Sequence, residues 1–169
     1  MKTVRKVSIP VVAALAGAVV AGTLTGGSAT ATEGGDSAAD RFAIREVIDR
    51  SQMYVDLKDT AAFANLFTKD GHYESPFNPG SDGRAEIEAA FDQAIETGFT
   101  KGLRHMTGPE KIDVNGSTAT ATSWYWIARN ETEHSVYSTG TFTDKFRKVN
   151  GKWEIENRVQ TIDAPAPTS

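Results

Sequence analysis

A chain of 169 residues, 39% hydrophobic and 24% charged, is long enough for one domain with a full core, and it has no cysteine to staple that core. Its 22 acidic against 18 basic residues give a formal charge of −4 with no basic stripe. That balance argues against nucleic acid and against an anionic membrane surface as partners.

Lys2, Arg5 and Lys6 form a positive start, Ile9 to Gly22 is apolar or small apart from Pro10, and Ala29-Thr30-Ala31 has the A-x-A pattern of a cleavage site. This is the layout of a secretory signal peptide over residues 1–31, too short for a stable membrane anchor, and it predicts a secreted, extracytoplasmic protein cut after Ala31. Removing it deletes three basic and no acidic residues, taking the charge from −4 to −7. Residues 32–39 are small, polar and acidic and read as a disordered leader.

Asp40 is the expected cap of a first helix carrying Ile44, Val47, Ile48, Ser51 and Tyr54/Val55 at helical spacing. Asp59 is placed to cap a second helix that buries Phe63, Leu66 and Phe67. Thr68 to Gly71 reads as a turn, His72 to Glu74 as a short strand, and Ser75 to Gly83, with two prolines and two glycines, as a loop. A third helix starts at Ser81 or Asp82, turns Ile87, Ala90, Phe91, Ala94 and Ile95 inward, and stops at Gly98 as a C′ residue. The rest reads as sheet. Leu103–Thr107 and Lys111–Val114 are short strands, Ser117–Ala128 and Ser135–Lys148 long ones, and Trp153–Ile162 the last, with hairpin signals at Asn115-Gly116 and Asn150-Gly151. Asn130 to His134 is a polar turn, and residues 164–169 read as a disordered tail. Helices first and hairpins after predict an α+β domain over residues 40–163, with helices on one face of a curved sheet.

Several stretches together resemble the nuclear transport factor 2-like superfamily and, within it, the SnoaL-like group. They are Tyr54-Val55-Asp56-Leu57-Lys58-Asp59, Leu66 to Gly71, Gly83-Arg84 before the Ile87 helix, Arg104-His105, Ile112 to Gly116, and Gly140-Thr141-Phe142 leading to Phe146 to Trp153. The resemblance implies a cone of three N-terminal helices packed on a strongly curved, mostly antiparallel sheet, with a pocket in the mouth of the cone. Homodimers are common for such folds. At the site the chain is similar to scytalone dehydratase and hexachlorocyclohexane dehydrochlorinase, which pair an Asp at the end of helix one with a strand His; these match Asp56 and His105. In the dehydratase a tyrosine directly precedes the Asp, whereas here Val55 does and Tyr54 is one place further back. The dehydratase's second histidine has no counterpart between Trp124 and Ala128, and the position of its asparagine falls on Phe142.

An Asp–His pair suits proton abstraction beside a carbonyl or a leaving group, because the carboxylate holds one ring nitrogen protonated and stabilises the imidazolium formed at the other. Elimination, dehydration, isomerisation through an enolate and cyclisation follow, and none needs a metal or organic cofactor. Asp56, His105 and Tyr54 are therefore the catalytic candidates, with a small apolar or polyketide-like molecule as the substrate class. Phe77, Trp124, Trp126, Phe142 and Asn157 are candidate pocket residues. Asn157 is chosen because it is in phase with Trp153 and Ile155, which puts Arg158 on the other face. Trp124 and Trp126 share one face of their strand and Tyr125 the other; either face can look inward. The alternative is a binding module of the same fold, in which Asp56 merely caps the helix joint and His105 is a hydrogen-bonded strand residue.

Overall fold

The computed structural model describes residues 38–130 and 135–163. The proposed signal peptide, residues 32–37 of the leader, the tail from 164 and His134 lie outside the described residues.

Three helices, α1 (Ala38–Leu57), α2 (Thr60–Ala64) and α3 (Gly83–Glu96), pack on a six-stranded sheet. The strands are β1 (Phe67–Ser75), β2 (Asn78–Asp82), β3 (Leu103–Asn115), β4 (Thr118–Arg129), β5 (Ser135–Val149) and β6 (Lys152–Ile162), in spatial order β2-β1-β6-β5-β4-β3. All neighbours are antiparallel except β1 and β6, so the sheet is mostly antiparallel; it is curled and does not close. This is the α+β cone expected from the sequence.

α1 buries Ile44, Val47, Ile48, Ser51 and Gln52 along one stripe. It begins at Ala38, two residues before Asp40. Asp40 is not its cap: its carboxylate accepts from Lys148 Nζ (2.6 Å) and Trp153 Nε1 (2.8 Å), tying the helix start to the far end of the sheet. The joint after α1 turns on Lys58 at φ +60, and Asp59 then caps α2 by accepting from the Ala62 N–H at 3.0 Å.

The prolines and glycines of residues 75–83 build a short antiparallel hairpin, β1–β2, where the sequence suggested a loop. Pro79 is accommodated because β2 is the edge of the sheet. Residues 68–71, expected as a turn, are inside β1, as an irregular stretch in its pairing with β6. The segments before and after Gly108-Pro109 are one strand, β3, with a bulge between Thr107 and Glu110; β3 is the opposite edge. Both expected hairpin turns form. Asn150 and Gly151 are the two central residues of theirs, both at positive φ, whereas in the other Asn115 still pairs with Thr118 and Gly116-Ser117 make the turn.

Phe63, Phe67, Tyr73 and Phe91 stack between α2, α3 and β1, with centroids of neighbouring rings 4.1 to 6.3 Å apart. This cluster closes the narrow part of the cone. Leu103, Tyr125, Ile127 and Phe142 form a second buried cluster on the concave face of β3, β4 and β5. A cavity lies between the two.

Candidate active site

The edge position of β3 sets up the site. A residue on an edge strand has an N–H with no strand to receive it, and a buried donor must find another acceptor. α1 runs along this edge and meets it with a series of polar side chains, donors as well as acceptors. Arg41 donates to the Ile112 carbonyl, Arg45 pairs with Glu110, and Thr107 Oγ1 donates to Asp49 at 2.6 Å. Asp56, at the last turn of α1, completes the series. Both its oxygens accept from the His105 backbone N–H at 3.2 Å, and Oδ1 lies 2.8 Å from His105 Nδ1. Each contact sits further down the helix and further up the strand, so the helix is registered against the strand over its whole length.

The carboxylate can only accept, so in the neutral ring Nδ1 carries the proton and Nε2 is the free basic nitrogen. Arg104, mostly exposed, approaches the other carboxylate oxygen at 3.9 Å. Asp56 and His105 are both largely screened from water. His105 forms part of the wall of a cavity of about 410 Å³, a size that suits a small organic ligand. The wall is mainly aromatic and aliphatic, with Gln52, Asn78, Ser138 and Gln160 among its polar members.

Tyr73 and Gln160 meet in this wall, the phenol donating to Gln160 Oε1 at 2.8 Å. Burial pushes the Tyr73 hydroxyl up to about 12, because the phenolate would lose its water, so it remains a neutral donor. Arg158, in the floor of the cavity, and Asp144 behind it are fully buried and joined by two hydrogen bonds of 2.7 and 2.8 Å. The guanidinium also donates to Ser51 at 2.7 Å and lies over the Phe142 ring at 4.6 Å. Arg158 thus borders the cavity with its charge already paired to Asp144.

Of the residues singled out from sequence, the structure brings Asp56, His105, Phe77 and Phe142 to the cavity or its immediate support. Tyr54 is not there. It packs against the main core, because two residues along a helix turn a side chain about 200° away from Asp56. Trp124 and Trp126 are also misplaced: both face outward, Trp124 at 62% exposure, while Tyr125 faces in. Asn157 is outside because β6 bulges. Lys145 pairs with Asn157 and Phe146 with Ile155, leaving Glu156 unpaired, so the inward phase passes from Ile155 to Arg158.

Sequence reading missed Tyr73, Phe91, Phe99, Tyr137 and Gln160, all in the wall. Phe91 carried a signal, being on the inward stripe of α3. Tyr137 carried none, since it is the extra residue in a bulge of β5 opposite Ile127-Ala128. Among the described residues no three His, Cys, Asp or Glu side chains cluster as a metal site would need.

The model of the SnoaL-like domain matches residues 36–159, which spans every element named above except the end of β6. The chain belongs to the SnoaL-like domain family. This family shares the nuclear transport factor 2-like fold, and its members include polyketide cyclases and dehydratases. Among solved structures, a protein of unknown function with a cystatin-like fold from Nostoc punctiforme is 27% identical, at TM-score 0.71 over 78% of this chain and 96% of that one. A nuclear transport factor 2-like protein from Novosphingobium aromaticivorans is also 27% identical, at TM-score 0.69 over 76% and 85%. A Catenulispora acidiphila protein in complex with S-DNPA shares the SnoaL-like fold at 20% identity and TM-score 0.64, over 75% and 96%. A comparison with curated proteins finds no match.

Proposed function

We propose that this SnoaL-like protein is an acid–base enzyme of the lyase, isomerase or cyclase type, with His105 as the proton-transferring group and Asp56 as its orienting carboxylate. The observation that carries the reading is the 2.8 Å contact between His105 Nδ1 and Asp56 Oδ1 at the wall of an apolar cavity. His105 Nε2 takes a proton from a carbon next to a carbonyl, leaving an enolate and an imidazolium held by Asp56. Returning that proton to a different carbon isomerises the substrate. Giving it to a departing hydroxyl eliminates water. The low-dielectric wall strengthens the imidazolium–carboxylate attraction. Phe77 and Phe142 would line the bound molecule, which fits a small, mostly apolar, polyketide-like substrate. We also propose that the protein is exported and cut after Ala31, which mass measurement of the protein recovered outside the cell checks.

The test of function is hydrogen–deuterium exchange at the α-carbon of a panel of small cyclic ketones in deuterated water, read by NMR. Wild type is expected to catalyse exchange on at least one, and His105→Gln and Asp56→Asn to lose about 10²- to 10⁴-fold. Exchange that survives His105→Gln would exclude this assignment. Binding of a panel member without exchange would instead support the binding-module reading.

A further inference from the structure

The rim of the cavity carries three large aromatic side chains that stand partly in solvent: Phe77 at 59% exposure, Phe99 at 43% and Tyr137 at 38%. Leaving rings in water is unfavourable, so a cluster of them at one opening calls for a reason. Two belong to segments far apart in the chain. Phe77 is in the turn between β1 and β2, and Phe99 is in the connection between α3 and β3. Their rings nevertheless touch, with centroids 4.8 Å apart at an interplanar angle of 58°.

Both rings stand on hydrogen-bonded backbone. The Phe77 turn is pinned, since Ser75 Oγ accepts from the N–H of both Phe77 and Asn78 at 3.2 and 3.1 Å. Phe99 lies between Gly98 at φ +75 and Gly102 at φ +71; its own N–H donates to the Ala94 carbonyl at 3.0 Å, and the Gly102 carbonyl accepts from the Asn130 N–H at 2.7 Å. A Cβ added at Gly98 would meet nothing within 4 Å, so glycine serves there for its backbone freedom and not for space. With both backbones hydrogen-bonded and both side chains partly in solvent, the freedom left at this contact is rotation of the rings.

We propose that the Phe77–Phe99 contact is a gate across the mouth of the cavity, opened by rotation of either side chain, and that it sets how fast ligands pass. A single ring pair is a weak latch, so it slows exchange without sealing the site. It favours flat, mostly apolar molecules that can slip past or stack on the parted rings. The proposal rests on the cavity taking a small ligand and not on the chemistry of Asp56 and His105.

The test uses the neutral fluorophore N-phenyl-1-naphthylamine and stopped-flow mixing with the wild-type chain, Phe77→Ala, Phe99→Ala and the double variant. A gate predicts that either single alanine raises both kon and koff roughly five-fold or more, so that Kd changes less than either rate. It also predicts that the double variant is no faster than the faster single one, because removing either ring already breaks the contact. A rise in koff alone, or rate effects that multiply in the double variant, would overturn the gate and leave two independent wall residues. Uptake by none of the four proteins would overturn it together with the ligand cavity.

Discussion

Arg158 and Asp144 form a two-pronged ion pair in which neither side chain reaches solvent, and Ser51 of α1 accepts a third bond from the same guanidinium. The pair joins β5, β6 and α1 directly beneath the cavity. Removing one partner leaves a charge buried without its counter-ion. Asp144→Ala is therefore expected to cost roughly 3–5 kcal/mol in urea unfolding. Replacing both residues by apolar ones of similar volume is expected to cost much less than the single change. Equal losses would indicate that packing, and not charge, holds this layer.

Tyr73 links stability to alkaline pH. Its folded-state value of about 12 lies above the ordinary 10, so the folded protein holds the phenol proton more tightly than the unfolded chain does. The contribution is fully present below pH 10 and is lost as pH rises towards 12. The gap corresponds to roughly 3 kcal/mol. Unfolding midpoints in urea are expected to fall more steeply between pH 10 and 12 in wild type than in Tyr73→Phe. Parallel curves would place the alkaline loss elsewhere.

Gly140 is required by closeness and not by its backbone angle. A Cβ there would stand 1.9 Å from the Thr161 carbonyl oxygen and 2.7 Å from the Tyr125 hydroxyl, which itself donates to that carbonyl at 3.1 Å. Gly140→Ala is expected to lose roughly 1–3 kcal/mol, measured by thermal unfolding. Adding Tyr125→Leu is not expected to restore it, because the nearest obstacle is backbone. Full rescue by that second change would show that the ring was the obstacle.

The α+β cone was legible because its local signals agree with one another. Asp59 caps, Gly98 and Gly151 take positive φ, and the alternation from Thr118 to Ile127 matches a strand with one face buried. Asp56 and His105 were legible because a helix end and a strand are both chain positions that pattern and resemblance specify, while the edge position of that strand came only from the sheet order. Asn157 and Tyr137 were misjudged or missed because a bulge adds one residue and reverses every side chain beyond it, and bulges leave little trace in composition. The outward Trp124 and Trp126 show a different limit. Both faces of β4 are chemically able to be buried, and only the register with β3 and β5 decides between them. Pro79 and Pro109 read as breakers, yet both occupy edge strands, where a missing N–H costs nothing in the ladder.

The most direct test of the central claim is the tautomer of His105, read from long-range nitrogen–proton correlations of the neutral imidazole in wild type and in Asp56→Asn, with His105→Gln to assign the signal. The account predicts that the wild-type ring carries its proton on Nδ1, facing Asp56, and that the preference is lost or reversed in Asp56→Asn. A wild-type ring protonated on Nε2, or one that does not respond to Asp56→Asn, would contradict the pairing on which the proposed chemistry depends.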